Sequence, residues 1–307
     1  MIEVQGLTKE FGAIKAVDDI SFHIGRGEIV AFLGPNGAGK TTTMRMLTGY
    51  LLPTKGKCTI NGLDVTEEPL RTKKLIGYLP EDNPLYPDMK IYEYLNFVGE
   101  VRDIKNLKER VDEVAEICGI KDVLNKEIGT LSRGYRQRVG VAQAIIHNPD
   151  ILILDEPTEG LDPNQVMELR NLIKELGKEK TVMLSTHILS EAEATCERVL
   201  IINKGKLIAD GSKSEIRTMA KGGETIILEL HAKSNPIDEI KKINGVKEVI
   251  EKKTEQKGHF QYEIISEGDV RELLFDTAVK QNCKIIELHR KSTSLEDIFR
   301  ELTKEQE

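Results

Sequence analysis

The sequence has no tryptophan, and aromatic residues make up only 5% of its 307 positions. A binding site built from aromatic rings, such as a sugar site or a methylammonium cage, is therefore not indicated. A basic excess is also missing, because the net charge is −7, which argues against a nucleic-acid-binding protein. No apolar run approaches the roughly 18 residues of a transmembrane helix. We therefore expect neither a membrane span nor a signal peptide, and any membrane association would go through a partner.

Cysteines are few and widely separated: Cys58, Cys118, Cys196 and Cys283. None belongs to a C-x-x-C pair or to a metal-ligand spacing, so we expect free thiols in a reducing compartment. The chain is longer than one hydrophobic core usually spans, which predicts two domains.

The most informative stretch is IVAFLGPNGAGKTT, residues 29–42. Its apolar start predicts a strand buried on both faces. The remainder satisfies the pattern G-x-x-x-x-G-K-[ST], in which glycines let backbone N–H groups surround phosphates, a lysine reaches the β- and γ-phosphates and a threonine hydroxyl binds Mg²⁺. A helix starting at Thr41 would point its N-terminus at the same anion. This context predicts a nucleotide site rather than an accidental glycine-rich turn. The residues expected to hold the nucleotide are Gly34, Pro35, Asn36, Gly37, Ala38, Gly39, Lys40, Thr41 and Thr42.

A second apolar strand, residues 151–154, ends in Asp155 and Glu156. Burying two adjacent carboxylates at the end of a parallel strand costs free energy, which indicates a functional role, although a purely structural role is the alternative. Binding a divalent cation and activating a water molecule would be such a role. We expect Asp155 to hold Mg²⁺ and Glu156 to orient or deprotonate the attacking water.

Three isolated features carry weaker predictions. Phe11 lies between two predicted strands and could stack on a purine base, with core packing as the alternative. Ser132 and Gly134 open a basic helix, which predicts either an ordinary N-cap or a second anion site. His187 follows the predicted strand 181–185, at the edge where open α/β sheets bind ligands, whereas a lone histidine is normally structural.

The C-terminal part has a different pattern. Residues 221–223 mark a boundary, and the following segments predict the order βαββαβ of a small ferredoxin-like unit, with one more helix at residues 295–302. We therefore predict a nucleotide-binding domain over residues 1–220, with a helical subdomain at about 84–150, and an accessory α+β domain over residues 223–307. The accessory domain carries no recognisable site motif.

Taken in order, these residues resemble the ATP-binding subunit of an ABC transporter over residues 1–215. Residues 34–42 match the Walker A loop of that family, residues 151–156 the Walker B strand with its catalytic glutamate, and residues 131–135 the signature. Phe11 stands where the family has its adenine-stacking aromatic, Asp162 in its D-loop, and His187 at its switch histidine. The resemblance implies an α/β fold: a P-loop NTPase core of the ABC ATPase type with an antiparallel β subdomain and a helical insert.

Two departures from the family pattern stand out. The signature reads LSRGY where LSGGQ is common, and Glu81 replaces a glutamine that normally helps to bind Mg²⁺. A carboxylate is a competent oxygen ligand, so Glu81 is an expected third ligand beside Thr41 and Asp155. With the ending SLEDIFRELT, this variant resembles ABC-2 exporters such as gliding-motility, multidrug and sodium exporters.

The resemblance further implies a homodimer with ATP between the Lys40 loop of one copy and Ser132 and Gly134 of the other. Closure of this dimer would bring Glu156 and His187 to the γ-phosphate. It implies an integral membrane permease as partner, a location at the cytoplasmic face of the membrane, and no nucleic acid. The alternatives are a soluble ABC ATPase that acts on DNA or ribosomes, whose relatives carry a coiled-coil insert or two nucleotide modules, and a nucleotide sensor without hydrolysis.

Overall fold

A computed structural model describes residues 1–219, 224–252, 254 and 258–291. The chain forms two compact units, of which the first is Met1–Lys213 and the second begins at Ser214. None of the described helices is both long and apolar enough to cross a membrane. The predicted boundary at residues 221–223 and the predicted last helix at 295–302 lie outside the described residues.

The first unit is a mixed α/β structure. Its strands are β1 (Ile2–Phe11), β2 (Ile14–Ile24), β3 (Ile29–Leu33), β4 (Lys55–Ile60), β5 (Leu63–Asp64), β6 (Ile76–Leu79), β7 (Ile151–Leu154), β8 (Thr181–Thr186), β9 (Arg198–Asn203) and β10 (Lys206–Ser212). The helices are α1 (Lys40–Leu47), α2 (Pro69–Leu75), α3 (Ile91–Val101), α4 (Leu107–Ile117), α5 (Arg133–Ile145), α6 (Pro163–Gly177), α7 (Leu189–Thr195) and α8 (Lys213–Met219), the last of which spans the division between the units.

A six-stranded sheet in the order β10-β9-β3-β8-β7-β6 positions the predicted site. Strands β9, β3, β8, β7 and β6 are parallel, and β10 closes the sheet as an antiparallel hairpin with β9. Strands β3, β7 and β8 are almost wholly buried, as their aliphatic sequences predict. Because parallel strands end at one edge, the residues after β3, β6, β7 and β8 meet there.

A second sheet, in the order β2-β1-β4-β5, is antiparallel. Its hairpin between β4 and β5 turns at Asn61 and Gly62, whose φ angles are 49° and 79°. Two positive φ angles are what a type I′ turn requires, and the sequence Asn61-Gly62 is typical of that turn. Both sheets contribute to one core, in which Ile2, Val4 and Phe22 pack with Val30 and Phe32 of β3.

The second unit has the predicted βαββαβ order. Its elements are β11 (Glu224–His231), α9 (Ile237–Lys241), β12 (Val246–Lys252), β13 (His259–Ser266), α10 (Arg271–Lys280) and β14 (Lys284–Lys291). The four strands pair in the order β12-β13-β11-β14, and every pairing is antiparallel. The described part of this unit is therefore ferredoxin-like, with Tyr262 among the side chains of its own core.

The structure differs from the prediction at several helices. Helix α1 begins at Lys40 rather than Thr41. Helices α2 and α8 were not predicted. Each of these two has only seven residues, about two turns, which is too short to display a 3.6-residue apolar period.

Candidate active site

A pocket of about 340 Å³ lies at the C-terminal edge of the parallel sheet. It is lined by Ala16, Asn36, Gly37, Gly39, Lys40, Thr41, Thr42, Glu81, Glu156 and Glu159. The loop between β3 and α1 supplies three of these residues, the first turn of α1 supplies three more, and the loops after β6 and β7 supply the three glutamates. The phosphate loop and two of the carboxylates predicted from sequence, Glu81 and Glu156, therefore share one cavity.

The backbone of the loop depends on glycine. Gly39 has a φ angle of 107°, and a Cβ atom built on it would lie 2.4 Å from the carbonyl oxygen of Ala16. No other residue type fits that position without movement of β2. Gly37 also has a positive φ of 79°, but a Cβ there would meet nothing within 4 Å. Behind these two glycines, the N–H of Ala38 donates to the carbonyl oxygen of Pro35 at 3.1 Å.

Lys40 is held inside this loop, with a relative exposure of 6%. Its Nζ donates to the carbonyl oxygens of Gly34 at 2.8 Å and Pro35 at 3.2 Å. It also forms an ion pair with Glu156, at 3.1 Å from Nζ to Oε1. The ammonium group therefore has oxygen partners on the loop and on the carboxylate strand, at the position where phosphate oxygens are expected.

Glu156 is the centre of a buried polar cluster. Its second carboxylate oxygen, Oε2, lies 3.0 Å from Nδ1 of His187, so the two residues predicted to be catalytic are in direct contact. The backbone of Glu156 is left-handed, with φ of 46°, which is uncommon for a residue other than glycine. Such a conformation persists only where the surroundings fix it, and it is frequent at active sites.

Asp155 precedes Glu156 and is completely buried. Its Oδ1 accepts a hydrogen bond of 2.5 Å from Ser185, whereas its Oδ2 has no hydrogen-bond partner among the described residues. Burial raises the pKa of this carboxyl group, and the Ser185 hydrogen bond acts against that rise. A buried oxygen without a partner is the feature that a cation ligand would show.

Thr41 and Glu81 also fit a magnesium site. The Thr41 hydroxyl donates to Oε2 of Glu81 at 3.2 Å, and both residues line the pocket. No group of three or more His, Cys, Asp or Glu side chains in the described ranges could hold a metal ion by itself. This sparse ligand set suits Mg²⁺, which usually binds one or two carboxylates together with water and substrate phosphates.

The remaining predicted residues do not line the pocket. Ser132 is the N-cap of α5 and accepts a hydrogen bond of 3.4 Å from the N–H of Tyr135, and Gly134 packs against the side chain of Gln165. Asp162 caps α6 by accepting two backbone N–H bonds of 3.0 Å each. Phe11 is half exposed, with Nζ of Lys9 at 5.2 Å from its ring centre.

Sequence reasoning missed three residues that the structure brings to the site. Ala16 and Glu159 line the pocket, and Ser185 contacts Asp155. Ser185 gives no distinctive signal, because the strand Thr181–Thr186 also contains two threonines. Ala16 carries no chemical signature, and its contribution depends on the packing of β2 against the loop.

A phosphate loop after β3 and a carboxylate pair after β7, at the same edge of a parallel sheet in which β8 lies between these two strands, define a P-loop nucleotide hydrolase. Comparison with known families makes the assignment narrower. Residues 17–159 match the family described as ABC transporter, and residues 211–303 match the C-terminal domain described as ATP-binding protein DrrA1-3-like. The chain belongs to the ATP-binding proteins of ABC transporters, and it is an ATPase with a P-loop NTPase core.

Known relatives span most of this chain. An uncharacterised ABC transporter ATP-binding protein, YxlF of Bacillus subtilis, is 35% identical over 97% of this chain and 98% of its own length. The bacitracin transport ATP-binding protein BcrA of Bacillus licheniformis is 41% identical over 68% of this chain and 69% of its own length. Among solved structures, the ATP-binding cassette MJ0796, described as a dimer in a post-hydrolysis state with ADP and Pi, matches with a TM-score of 0.63 at 25% identity. That match covers 69% of this chain and 98% of the cassette.

Proposed function

We propose that this chain is the ATP-hydrolysing subunit of an export system and that it works as a homodimer on a separate membrane permease, at the cytoplasmic face of the membrane. The name of BcrA, a bacitracin transport protein, supports a role in transport. The dimeric cassette MJ0796 supports the dimer. The net charge of −7 gives no support to the alternative of an ATPase acting on DNA or ribosomes, and we expect no nucleic-acid partner.

The observation that carries this proposal is the division of the predicted nucleotide site into two parts within one chain. Lys40 and its loop line the pocket, whereas Ser132 and Gly134 are not among the lining residues. Ser132 is exposed at the start of α5, where the helix has its positive dipole end and the backbone N–H groups of its first turn. A second copy would supply this helix end to the triphosphate bound at the first copy's loop.

We expect the following roles within the dimer. The backbone N–H groups of Asn36, Gly37 and residues 39–42 and the Lys40 ammonium would bind the phosphates, and Phe11 would stack on the base. Thr41, Glu81 and Asp155 would hold Mg²⁺, which when bound neutralises charge on the phosphates. Glu156 would orient or deprotonate the attacking water, and His187, already bonded to Glu156, would hold that carboxylate in place. Asp162, which caps α6, would contribute as part of the D-loop.

The ion pair between Lys40 and Glu156, at 3.1 Å, suggests how binding and hydrolysis are linked. A bound triphosphate would compete for the same ammonium, because this lysine is expected to reach the β- and γ-phosphates. ATP binding would therefore release Glu156 from Lys40 and make it available to water.

The permease would contact the surface around Glu81 and the helical region at about 84–150. Four large apolar side chains in this region are exposed: Tyr86, Phe97, Val101 and Ile117. Tyr86 and Phe97 pack edge to face with a centroid distance of 6.0 Å. An exposed aromatic pair next to the loop that carries Glu81 is suited to transmit motion from the nucleotide to a docked partner.

The test is Glu156→Gln. We expect turnover to fall by at least about a hundredfold, because a general base contributes roughly 10²–10⁴. We also expect ATP to produce a stable dimer, measured by size-exclusion chromatography with light scattering. Glu159→Gln removes the same charge from the same pocket, outside the predicted catalytic pair. It is the matched comparison and should lower turnover far less than Glu156→Gln does and return to a monomer after ATP is consumed.

A strictly monomeric Glu156→Gln protein with undiminished hydrolysis would contradict the proposal. A dimer that forms equally with Glu159→Gln would contradict it as well, because loss of pocket charge alone would then explain association.

A further inference from the structure

Ser185 contacts both members of the carboxylate pair through one hydroxyl group. It lies in β8, next to β7, and its side chain is completely buried. Its Oγ–H donates to Oδ1 of Asp155 at 2.5 Å, and the same oxygen accepts the backbone N–H of Glu156 at 2.9 Å. One buried oxygen atom therefore fixes a side chain and the adjacent backbone simultaneously.

Each of these contacts constrains a feature that the reaction would need. At Asp155, the Ser185 bond occupies Oδ1 and leaves Oδ2 as the oxygen without a partner among the described residues. At Glu156, the bond anchors the N–H of a residue whose φ is 46°. A left-handed backbone at a residue with a Cβ atom needs such an anchor to persist.

We propose that Ser185 is a positioning residue. Its hydroxyl fixes the orientation of the proposed magnesium ligand Asp155 and the backbone of the proposed water-activating residue Glu156. The inference rests on the proposed function and extends it to a residue outside the predicted site. Residues that orient a metal ligand from behind commonly change metal affinity or activity by about 10- to 100-fold when replaced. Ser185 would act on the metal through Oδ1 of Asp155 and on catalysis through the backbone of Glu156.

The same strand offers a matched control. Thr181 is also buried in β8, and its hydroxyl accepts the backbone N–H of Gly27 at 2.9 Å. It thus has a comparable hydrogen bond to the backbone, but Gly27 precedes β3, at the sheet edge opposite the pocket. Thr181→Val removes this hydroxyl and keeps the shape of the side chain. Any general effect of losing a buried hydroxyl from β8 should appear in both variants.

The experiment compares Ser185→Ala, Ser185→Cys and Thr181→Val with the wild-type full chain. Isothermal titration calorimetry gives the dissociation constant of ATP in EDTA and in Mg²⁺, and steady-state assays give kcat and KM. We expect Ser185→Ala to bind ATP in EDTA within about twofold of wild type, to lose about tenfold or more of the Mg²⁺-dependent affinity, and to lose kcat. Ser185→Cys keeps a weak hydrogen-bond donor, so its Mg²⁺-dependent affinity and its kcat should lie between those of wild type and those of Ser185→Ala.

Three results would overturn the inference: equal Mg²⁺-dependent affinity and kcat in Ser185→Ala and wild type, equal losses in Thr181→Val, or a loss of ATP binding in EDTA that matches the loss in Mg²⁺. If Ser185→Ala does not fold, Ser185→Cys carries the same comparison. A wild-type chain that binds ATP identically with and without Mg²⁺ and does not turn it over would contradict the proposed function instead.

Discussion

Replacement of Gly39 by alanine tests whether the phosphate loop is packed as the structure has it. The added Cβ would meet two separate obstacles: a φ angle of 107° and the carbonyl oxygen of Ala16 at 2.4 Å. Gly37→Ala meets only the backbone obstacle, because the φ angle of Gly37 is 79° but nothing lies within 4 Å of the added Cβ atom. The two substitutions are chemically identical and lie in the same loop, so their difference isolates the contact with β2.

The magnitudes follow from these two obstacles. An alanine in a left-handed conformation costs about 1 kcal/mol or somewhat more, which is the whole expected effect of Gly37→Ala. Overpacking against a fixed backbone atom adds roughly 1–3 kcal/mol, so Gly39→Ala should cost about 3 kcal/mol. For a unit of this size, 1 kcal/mol lowers Tm by about 2–4 °C. We therefore expect Tm to fall by about 2–4 °C for Gly37→Ala and about 6–12 °C for Gly39→Ala.

Differential scanning calorimetry of the nucleotide-free proteins measures both shifts without bound ligand. The reasoning would be refuted if Tm decreased equally in the two variants, or if it decreased more in Gly37→Ala. Either result would mean that the loop does not pack on the backbone of Ala16.

Two further predictions concern buried charges. Burial, followed by the nearby charge of Arg102, lowers the pKa of His147 from 6.5 to about 4. Between pH 7 and pH 5 the His147 imidazole becomes protonated in the unfolded chain but stays mostly neutral in the folded chain. The free energy of unfolding should therefore fall by up to about 2 kcal/mol over this range. Urea unfolding at both pH values should show a smaller loss in His147→Gln, and an unchanged loss would contradict the assignment. Lys40→Met should destabilise the nucleotide-free protein by about 3 kcal/mol because it leaves Glu156 buried without its cation, and Glu156→Gln in the same chain should restore most of that loss. Additive effects of the two substitutions would show that the ion pair does not exist.

Much of the site was predictable because the motifs lie at strand ends. The aliphatic runs before Gly34 and Asp155 predict buried parallel strands, and parallel strands bring their carboxyl ends to one edge. That rule alone places the loop, Glu81 and Glu156 around a common pocket, as found. The alternating pattern after residue 224 likewise predicts the second unit, since a half-buried antiparallel sheet exposes every other residue.

Contacts between distant segments were not predictable. The bonds of Ser185 to Asp155 and Glu156 join residues about thirty positions apart, and their existence depends on β7 and β8 being neighbours in register. The left-handed backbone of Glu156 has no sequence signal either, because that conformation is imposed by its partners. Short helices such as α2 escape detection for a simpler reason, as two turns contain too few apolar positions to define a period.

The assignment of Phe11, Asp162, Ser132 and Gly134 to the nucleotide stays a prediction. Ser132 and Asp162 each cap a helix, a role that by itself explains their side chains. Their proposed function requires a second copy of the chain. The shared site is therefore the central claim.

The most direct measurement of that claim is ATP-dependent cross-linking between two differently tagged chains. One chain carries Asn36→Cys in the phosphate loop, the other carries Ser132→Cys, and both carry Glu156→Gln. Cys58, Cys118 and Cys196 are buried, so only Cys283 needs prior replacement by serine. We expect ATP with Mg²⁺ to produce a disulfide that joins the two tags, and no such product without nucleotide. A mixture that binds ATP and yet never joins the two tags would contradict the shared site.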